Sequence, residues 1–247
     1  MDESITSDGL QLAAHVARPA GSSARSPAVV LCHGFPSGPR GAATSAATYP
    51  ELADRIARDA SWTALTFNFR GTGTSEGDFS IAGWTEDLRA AIGVVADDAN
   101  GVWAVGVGEG GTLAVCEAAR DERVRGVATL GAPISLRDWS RDPTRLIAHA
   151  RRIGMMPTAG YPADPGAWGR EVTELDPRAA ARALGPRPLL ILHGSADEVV
   201  PPSDARALAD AAGDAAELRF VHAAGHRLRH DPRAVAVLLG WLVRQTP

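Results

Sequence analysis

Short β-rich runs alternate with helical patterns through most of this chain of 247 residues. Such alternation predicts an α/β fold, with a mostly parallel sheet and helices on both of its faces. The predicted strands are Ala28–Cys32, Trp62–Phe69, Val102–Val107, Val124–Leu130, Pro188–His193 and Leu218–His222. The predicted helices are Pro50–Ala60, Ile81–Ala96, Gly111–Arg120, Pro202–Ala212 and Asp231–Arg244. An N-terminal hairpin is expected at Ile5–Val16, with its turn at Asp8-Gly9.

One long segment interrupts this alternation. Residues 135–182 lie between two predicted strands, and long insertions in α/β units tend to be functional. We therefore predict that residues 1–247 form a single domain in which 135–182 is a short helical cap over a pocket. The alternative is a surface excursion that covers a sheet edge. The residues expected to line the pocket and bind substrate are Trp139, Met155, Met156, Tyr161 and Trp168.

Composition excludes several classes of function. The formal net charge is −4 and no basic run occurs, so no nucleic-acid or membrane-surface partner is expected. The longest apolar run, Val235–Val243, is about half the length that a membrane span needs. All 25 basic residues are arginine, which excludes Schiff-base chemistry, a pyridoxal-phosphate anchor and a P-loop lysine. The histidines and cysteines show no metal-ligand spacing, so neither a metal nor another cofactor is expected.

Two features favour a cytoplasmic protein. The N-terminus, Met1 to Ser4, has neither a positive region nor an apolar stretch, so we expect no secretory signal. Cys32 and Cys116 each lie in an apolar segment and are interpreted as reduced core residues.

The residues that follow four predicted strands suggest one catalytic site, because ligands bind at the carboxyl ends of parallel strands. After the second of these strands, Asn68 to Ser75 form a loop whose glycines suit close turns and in which Arg70 is expected to have a structural role. His33-Gly34 makes a turn after which the backbone N–H of Phe35 can act as an oxyanion donor. Asp197 and His226 follow the last two strands in the order of an orienting acid and a base. Taken alone, His33-Gly34 could be a tight loop, Asp197 a helix cap and His226 a surface histidine. The prediction of a catalytic site therefore depends on their occurring together.

In this order the motifs resemble the α/β-hydrolase family, in particular small serine esterases and S33 aminopeptidase-like hydrolases. The motifs are His33-Gly34, Arg70-Gly71-x-Gly73-x-Ser75, the glycine-rich turn 106–111, Asp197, and Gly225-His226. The similarity extends from about Ala28 to Arg244, and it implies an α/β-hydrolase fold and a small-molecule substrate. It also implies that the backbone N–H of Glu109 is the second oxyanion donor.

The nucleophile position departs from the family pattern of Gly-x-Ser-x-Gly. The matching turn is Gly106-Val107-Gly108-Glu109-Gly110, so Gly108 stands where the family has its catalytic serine. Glycine has no side chain, and a covalent acyl-enzyme cannot form there. The side chain of the adjacent Glu109 is expected to point away from the place of the missing hydroxyl, at a helix N-terminus that favours an acid.

The same turn also matches the dinucleotide-binding pattern Gly106-x-Gly108-x-x-Gly111. That fingerprint needs an acidic residue about 20 positions further on. Here the next predicted strand ends in Leu130-Gly131, without an acid. A dinucleotide also leaves Asp197 and His226 unexplained, so this interpretation is the weaker one.

Three hypotheses about function remain open. In the first, His226, held by Asp197, acts as a base in a noncovalent hydrolase or lyase on a small ester, amide or carbonyl compound. In the second, the chain is an inactive pseudoenzyme that binds a small molecule. In the third, glycine replaces the serine of an ordinary esterase.

Overall fold

The centre of the protein is a single twisted sheet. A computed structural model describes residues 3–21, 25–38 and 49–245, and in these ranges eight strands pair in the order β1-β2-β4-β3-β5-β6-β7-β8. The strands are β1 (Glu3–Ser7), β2 (Leu10–Ala17), β3 (Ala28–Cys32), β4 (Thr63–Phe67), β5 (Val102–Val107), β6 (Val124–Leu130), β7 (Leu189–Gly194) and β8 (Ala216–Val221). All pairs from β4 to β8 are parallel, which confirms the predicted sheet. Met1 and Asp2, on which the prediction of no secretory signal partly rests, lie outside the described residues.

The predicted N-terminal hairpin forms one edge of the sheet. β1 and β2 pair antiparallel, and the turn residues Asp8 and Gly9 have φ angles of 50° and 79°. β2 also pairs antiparallel with β4, placing Ala14 opposite Phe67. The hairpin therefore continues the central sheet instead of standing apart from it.

Helices cover both faces of the sheet. They are α1 (Tyr49–Ala60), α2 (Ile81–Ala96), α3 (Glu109–Ala118), α4 (Arg137–Arg141), α5 (Pro143–Arg152), α6 (Pro165–Glu171), α7 (Pro177–Leu184), α8 (Pro202–Ala212) and α9 (Pro232–Arg244). Val29 and Leu31 of β3 pack in one apolar cluster with α1 and α9, whereas Val30 packs in another with α2, α3 and α8. Because neighbouring side chains of a strand point to opposite faces, the two clusters are the cores on either side of the sheet.

The long segment between β6 and β7 folds as α4 to α7 and packs against the cluster that contains α2. Its buried residues include Met155 and Trp168. The backbone N–H of Phe79 donates to the Met155 carbonyl (2.9 Å), and the Trp168 indole N–H donates to the Phe79 carbonyl (3.2 Å). These two hydrogen bonds attach the segment to the residues that lead into α2.

Neither cysteine forms a disulfide, and both are buried. Cys32 lies on β3 and Cys116 on α3. Burial raises the pKa of the Cys116 thiol to about 12 and also raises that of Cys32, so both stay protonated at neutral pH. Neither thiol is an activated nucleophile. In the part of the chain that the structure describes, no helix has the length and apolar character to cross a membrane.

Candidate active site

Asp197 and His226 meet at the carboxyl ends of the last two strands. Asp197 follows β7, and His226 lies on the loop between β8 and α9. The His226 Nδ1 atom is 2.9 Å from Asp197 Oδ2. The other carboxylate oxygen of Asp197 accepts hydrogen bonds from the backbone N–H groups of Val199 and Val200, both at 2.9 Å. The turn after β7 thus orients the carboxylate towards the histidine.

These contacts define the protonation of the pair. Burial by itself would raise the pKa of Asp197, but the N–H groups of Val200 and Val199 and the ring of His226 outweigh it, so the pKa lies below its usual value. An ionised carboxylate only accepts hydrogen bonds, so the proton of neutral His226 is on Nδ1. The Nε2 lone pair is then free to take a proton, which is the state that a general base needs.

The Nε2 atom of His226 faces the turn that carries Gly108. This residue connects β5 to α3 and has φ 56° and ψ −129°. A Cβ atom at Gly108 would lie 3.8 Å from His226 Nε2 and 3.6 Å from the Gly34 Cα, which are ordinary contact distances. Space for a side chain therefore exists beside the base.

The other glycines of the turn serve close packing. A Cβ at Gly106 would lie 2.3 Å from the Gly110 carbonyl oxygen, and one at Gly110 would lie 2.4 Å from the His33 carbonyl oxygen. Neither position can hold a side chain without moving backbone. The packing of α3 against β5 and β3 thus accounts for Gly106 and Gly110.

Glu109 departs from the sequence expectation. Its side chain was predicted to point away from the nucleophile position, and this is wrong: the Oε2 atom accepts a hydrogen bond from the Phe35 backbone N–H at 2.8 Å. A Cβ at Gly34 would lie 2.9 Å from that oxygen and 3.4 Å from the Gly108 Cα. The carboxyl group approaches so closely because residue 34 has no side chain. It therefore holds the N–H group that was predicted as an oxyanion donor.

Burial raises the pKa of Glu109. The N–H groups of Phe35 and of Glu109 itself, and the nearby His226, lower it without cancelling the effect of burial. The two acids of the site are therefore shifted in opposite directions, Asp197 towards the ionised form and Glu109 towards the protonated form. Such divergence between neighbouring acids is typical of an acid–base site.

The five predicted lining residues lie in two environments. Met155, Met156 and Trp168 are buried in the apolar cluster below the segment 135–182, whereas Trp139 and Tyr161 are only partly buried. Trp139 packs on the ring of Phe35, with 5.0 Å between the ring centroids. Their role in substrate binding stays a prediction.

Sequence reasoning overlooked two aromatic rings near the site. His149 of α5 stacks on Phe35, with 5.9 Å between ring centroids, and Tyr49 of α1 lies 6.3 Å from the ring of His33. Both rings come from elements distant in sequence from the motifs, so no local pattern could have indicated them.

Buried His33 has a structural role. Its Nδ1 atom lies 2.8 Å from the Gly34 carbonyl oxygen, and its Nε2 atom accepts the Phe69 N–H at 3.2 Å. Burial lowers the pKa of His33 to about 4, so the ring is neutral at physiological pH. It connects the turn after β3 to the loop after β4.

No metal centre is formed within residues 3–21, 25–38 and 49–245, because no three potential His, Cys, Asp or Glu ligands cluster there.

The structure is similar to solved esterases over nearly its whole length. Est1E from Butyrivibrio proteoclasticus, solved with ferulic acid, aligns with a TM-score of 0.75 at 17% identity, over 98% of this chain and 96% of that one. The esterase Pf2001 from Pyrococcus furiosus aligns with a TM-score of 0.71 at 17% identity, over 100% and 92%. The protein has the α/β-hydrolase fold.

A third structure with this fold is a meta-cleavage product hydrolase from Pseudomonas fluorescens, crystallised with acetates as a serine-to-alanine mutant. It aligns with a TM-score of 0.67 at 19% identity, over 99% of this chain and 97% of that one. No family model matches the sequence, and no curated protein matches it. The similarity is thus one of fold.

Proposed function

We propose that this α/β-hydrolase-fold protein is a noncovalent hydrolase or lyase that acts on a small ester, amide or carbonyl compound. The observation that carries the proposal is the Asp197–His226 pair, whose free Nε2 atom faces the space beside Gly108. A protein that only binds a ligand has no evident need of an oriented base at this place. The esterase neighbours support the class of reaction.

In hydrolysis, a water molecule beside Gly108 takes the place of the serine hydroxyl. His226 Nε2 removes a proton from this water while the water oxygen bonds to the carbonyl carbon, and the carbonyl electron pair moves to the carbonyl oxygen. When the tetrahedral intermediate collapses, the carbonyl re-forms and the leaving group takes the proton from His226. Asp197 holds the ring and stabilises its positive charge throughout.

The experiment compares ester turnover with covalent labelling. The purified protein is assayed with p-nitrophenyl esters and with esters of aromatic acids such as ferulic acid, and is treated with a fluorophosphonate probe. We expect turnover without labelling, because the probe needs an activated hydroxyl or thiol. His226→Ala is expected to lower turnover by about 10³-fold or more, since the base is essential.

His222→Ala is the matched control, because His222 lies exposed on the same loop as His226. It should leave turnover unchanged. Turnover that survives in His226→Ala would refute the proposal, and a labelled serine would show that the nucleophile lies elsewhere.

One observation favours the second candidate, a binding protein. The Phe35 N–H already donates to the Glu109 carboxylate group, so this oxyanion donor is engaged within the protein. Absence of turnover, together with a melting temperature that rises with small apolar ligands, would support binding without catalysis.

A further inference from the structure

The side chain of Glu109 engages the Phe35 N–H, the group that the sequence predicts as an oxyanion donor. Its Oε2 atom accepts the Phe35 hydrogen bond at 2.8 Å, and Gly34 leaves it room. Glu109 is also the first residue of α3, directly after Gly108. A carbonyl oxygen held directly by the Phe35 N–H would have to displace this carboxyl group.

The charge on Glu109 decides what it can do at this place. As a carboxylate it would repel the negative charge that develops on a carbonyl oxygen under attack. As a carboxylic acid it accepts the Phe35 N–H through one oxygen and has a hydroxyl to donate through the other. Burial favours the acid form, because it raises the pKa of Glu109.

Two titratable groups act on Glu109 from the elements packed around it. His226 approaches from the loop after β8, and Tyr49 approaches from the first turn of α1. The guanidinium of Arg229 lies on the ring of Tyr49, 5.3 Å from the ring centroid. Burial raises the pKa of Tyr49, so this phenol is neutral at physiological pH.

We propose that the carboxylic acid of Glu109 binds the carbonyl oxygen of the substrate, in place of the backbone N–H groups of Phe35 and Glu109. This inference rests on the proposed function and assigns one more catalytic residue to the same site. While water attacks and its proton moves to His226, the carbonyl oxygen becomes negative and is stabilised by the hydrogen bond from the Glu109 hydroxyl. A neutral acid that donates to a developing oxyanion is an established catalytic device.

The assignment has a consequence for pH dependence. Activity needs neutral His226 as base and protonated Glu109 as donor. As the pH rises through the raised pKa of Glu109, the donor is lost. The profile of kcat/KM against pH therefore has an alkaline limb that reports the ionisation of Glu109.

Two variants of Glu109 separate its hydrogen bonding from its charge. Glu109→Gln keeps an oxygen for the Phe35 N–H and an NH2 group that donates at every pH. With a neutral p-nitrophenyl ester, its kcat/KM should lose the alkaline limb of the profile and should exceed that of a variant that has no donor at this position. Glu109→Met has a similar length but no donor, and its kcat/KM should fall by about 10²-fold or more. Circular dichroism and melting curves verify that both variants are folded.

Each contrary result has a distinct meaning. If Glu109→Met is faster than the original protein, the carboxyl group blocks the backbone donors and the inference is wrong, while the proposed function stands. If Glu109→Gln is as slow as Glu109→Met, or keeps the alkaline limb, the inference is also wrong. If the original protein turns over no more ester than His226→Ala does, the proposed function itself fails.

Discussion

The two sides of the active-site edge differ in how closely they follow the hydrolase pattern. On the β7–β8 side, Asp197 and His226 form an oriented acid–base pair with a hydrogen bond of 2.9 Å. On the β3–β5 side, Gly108 stands at the turn that we interpret as the nucleophile position, and the Phe35 N–H donates to Glu109. His226 is oriented to act as a base, but Gly108 has no side chain that could form a covalent bond to a substrate.

This difference indicates which part of the serine mechanism can be kept without the serine. A histidine held by a carboxylate can activate water as well as a hydroxyl group. An oxyanion hole, in contrast, is useful only if its donors face the substrate. The Glu109 carboxyl group accepts the Phe35 N–H, one of the two predicted donors, so our proposal assigns the binding of the carbonyl oxygen to Glu109.

The largest expected effect comes from returning a nucleophile to the β3–β5 side. In Gly108→Ser, the new Cβ would lie 3.8 Å from His226 Nε2, which puts the hydroxyl within reach of a hydrogen bond. We expect covalent fluorophosphonate labelling at residue 108 and a pre-steady-state burst with an ester. Neither is expected from the original protein. The serine would adopt a φ near 56°, at a cost of about 1–3 kcal/mol.

Gly213→Ser is a matched control for this strain. Gly213 has φ 59° and ψ −136°, almost the backbone conformation of Gly108, and a Cβ there would meet nothing within 4 Å. It should lose a similar stability and gain neither labelling nor a burst. A folded Gly108→Ser protein without either signal would mean that the Asp197–His226 pair is not a competent base or that the oxyanion hole, whose Phe35 donor is engaged by Glu109, is not competent.

The two sides also differ in how far the sequence predicts them. Asp197 lies in the turn after β7 and His226 on the loop after β8, so strand prediction alone places both near the carboxyl edge of the sheet. The turn at Gly108 was also placed correctly between β5 and α3. The sequence predicted a helix start at Gly111, whereas α3 begins at Glu109. Glycine has a low helix propensity, but here close packing requires it and overrides that preference.

The direction of the Glu109 side chain could not be predicted. It depends on Gly34, which is 75 positions earlier in the chain and comes close only because β3 and β5 are neighbours in the sheet. A helix N-terminus explains an acid at residue 109 equally well if the side chain points to solvent. Local sequence holds no information that distinguishes the two directions.

Smaller effects are expected when tryptophans of the segment 135–182 are replaced, and they test whether this segment contributes to the substrate pocket on the β3–β5 side. Trp168 is buried and donates a hydrogen bond to the Phe79 carbonyl, whereas Trp139 is partly exposed and packs on Phe35. Trp168→Ala should lower the free energy of unfolding by about 3–5 kcal/mol. Trp139→Ala should cost less stability and should change the ranking of ester substrates.

Chemical denaturation and an ester panel measure both quantities. Equal losses of stability, with an unchanged ranking in Trp139→Ala, would mean that Trp139 is core and not a pocket wall. That result would also give no sign that residues 135–182 contact the substrate, and it would weaken the prediction that they form a cap over the pocket.

The smallest expected effect is on stability and concerns the protonation of Glu109. Because its pKa is raised in the folded protein, the unfolded chain releases this proton first as the pH rises. The free energy of unfolding therefore decreases as the pH rises from the ordinary pKa of a glutamate to the raised pKa of Glu109 in the folded state. Glu109→Gln removes this loss, so its melting temperature relative to the original protein should increase from acid to neutral pH. Each kcal/mol corresponds to about 2–4 °C in a domain of this size.

Glu198→Gln is the control, because it removes an exposed carboxylate close to Asp197. The melting temperatures of all three proteins are measured across the same pH range. If the advantage of Glu109→Gln is constant with pH, folding does not shift the pKa of Glu109, so its carboxyl group is ionised in the folded protein at neutral pH. The carboxyl group would then be an anion held by the Phe35 N–H, and the β3–β5 side could not stabilise a second negative charge. If the advantage grows with pH, Glu109 is a neutral donor on the acid side of the transition, which is the state that catalysis through this residue requires.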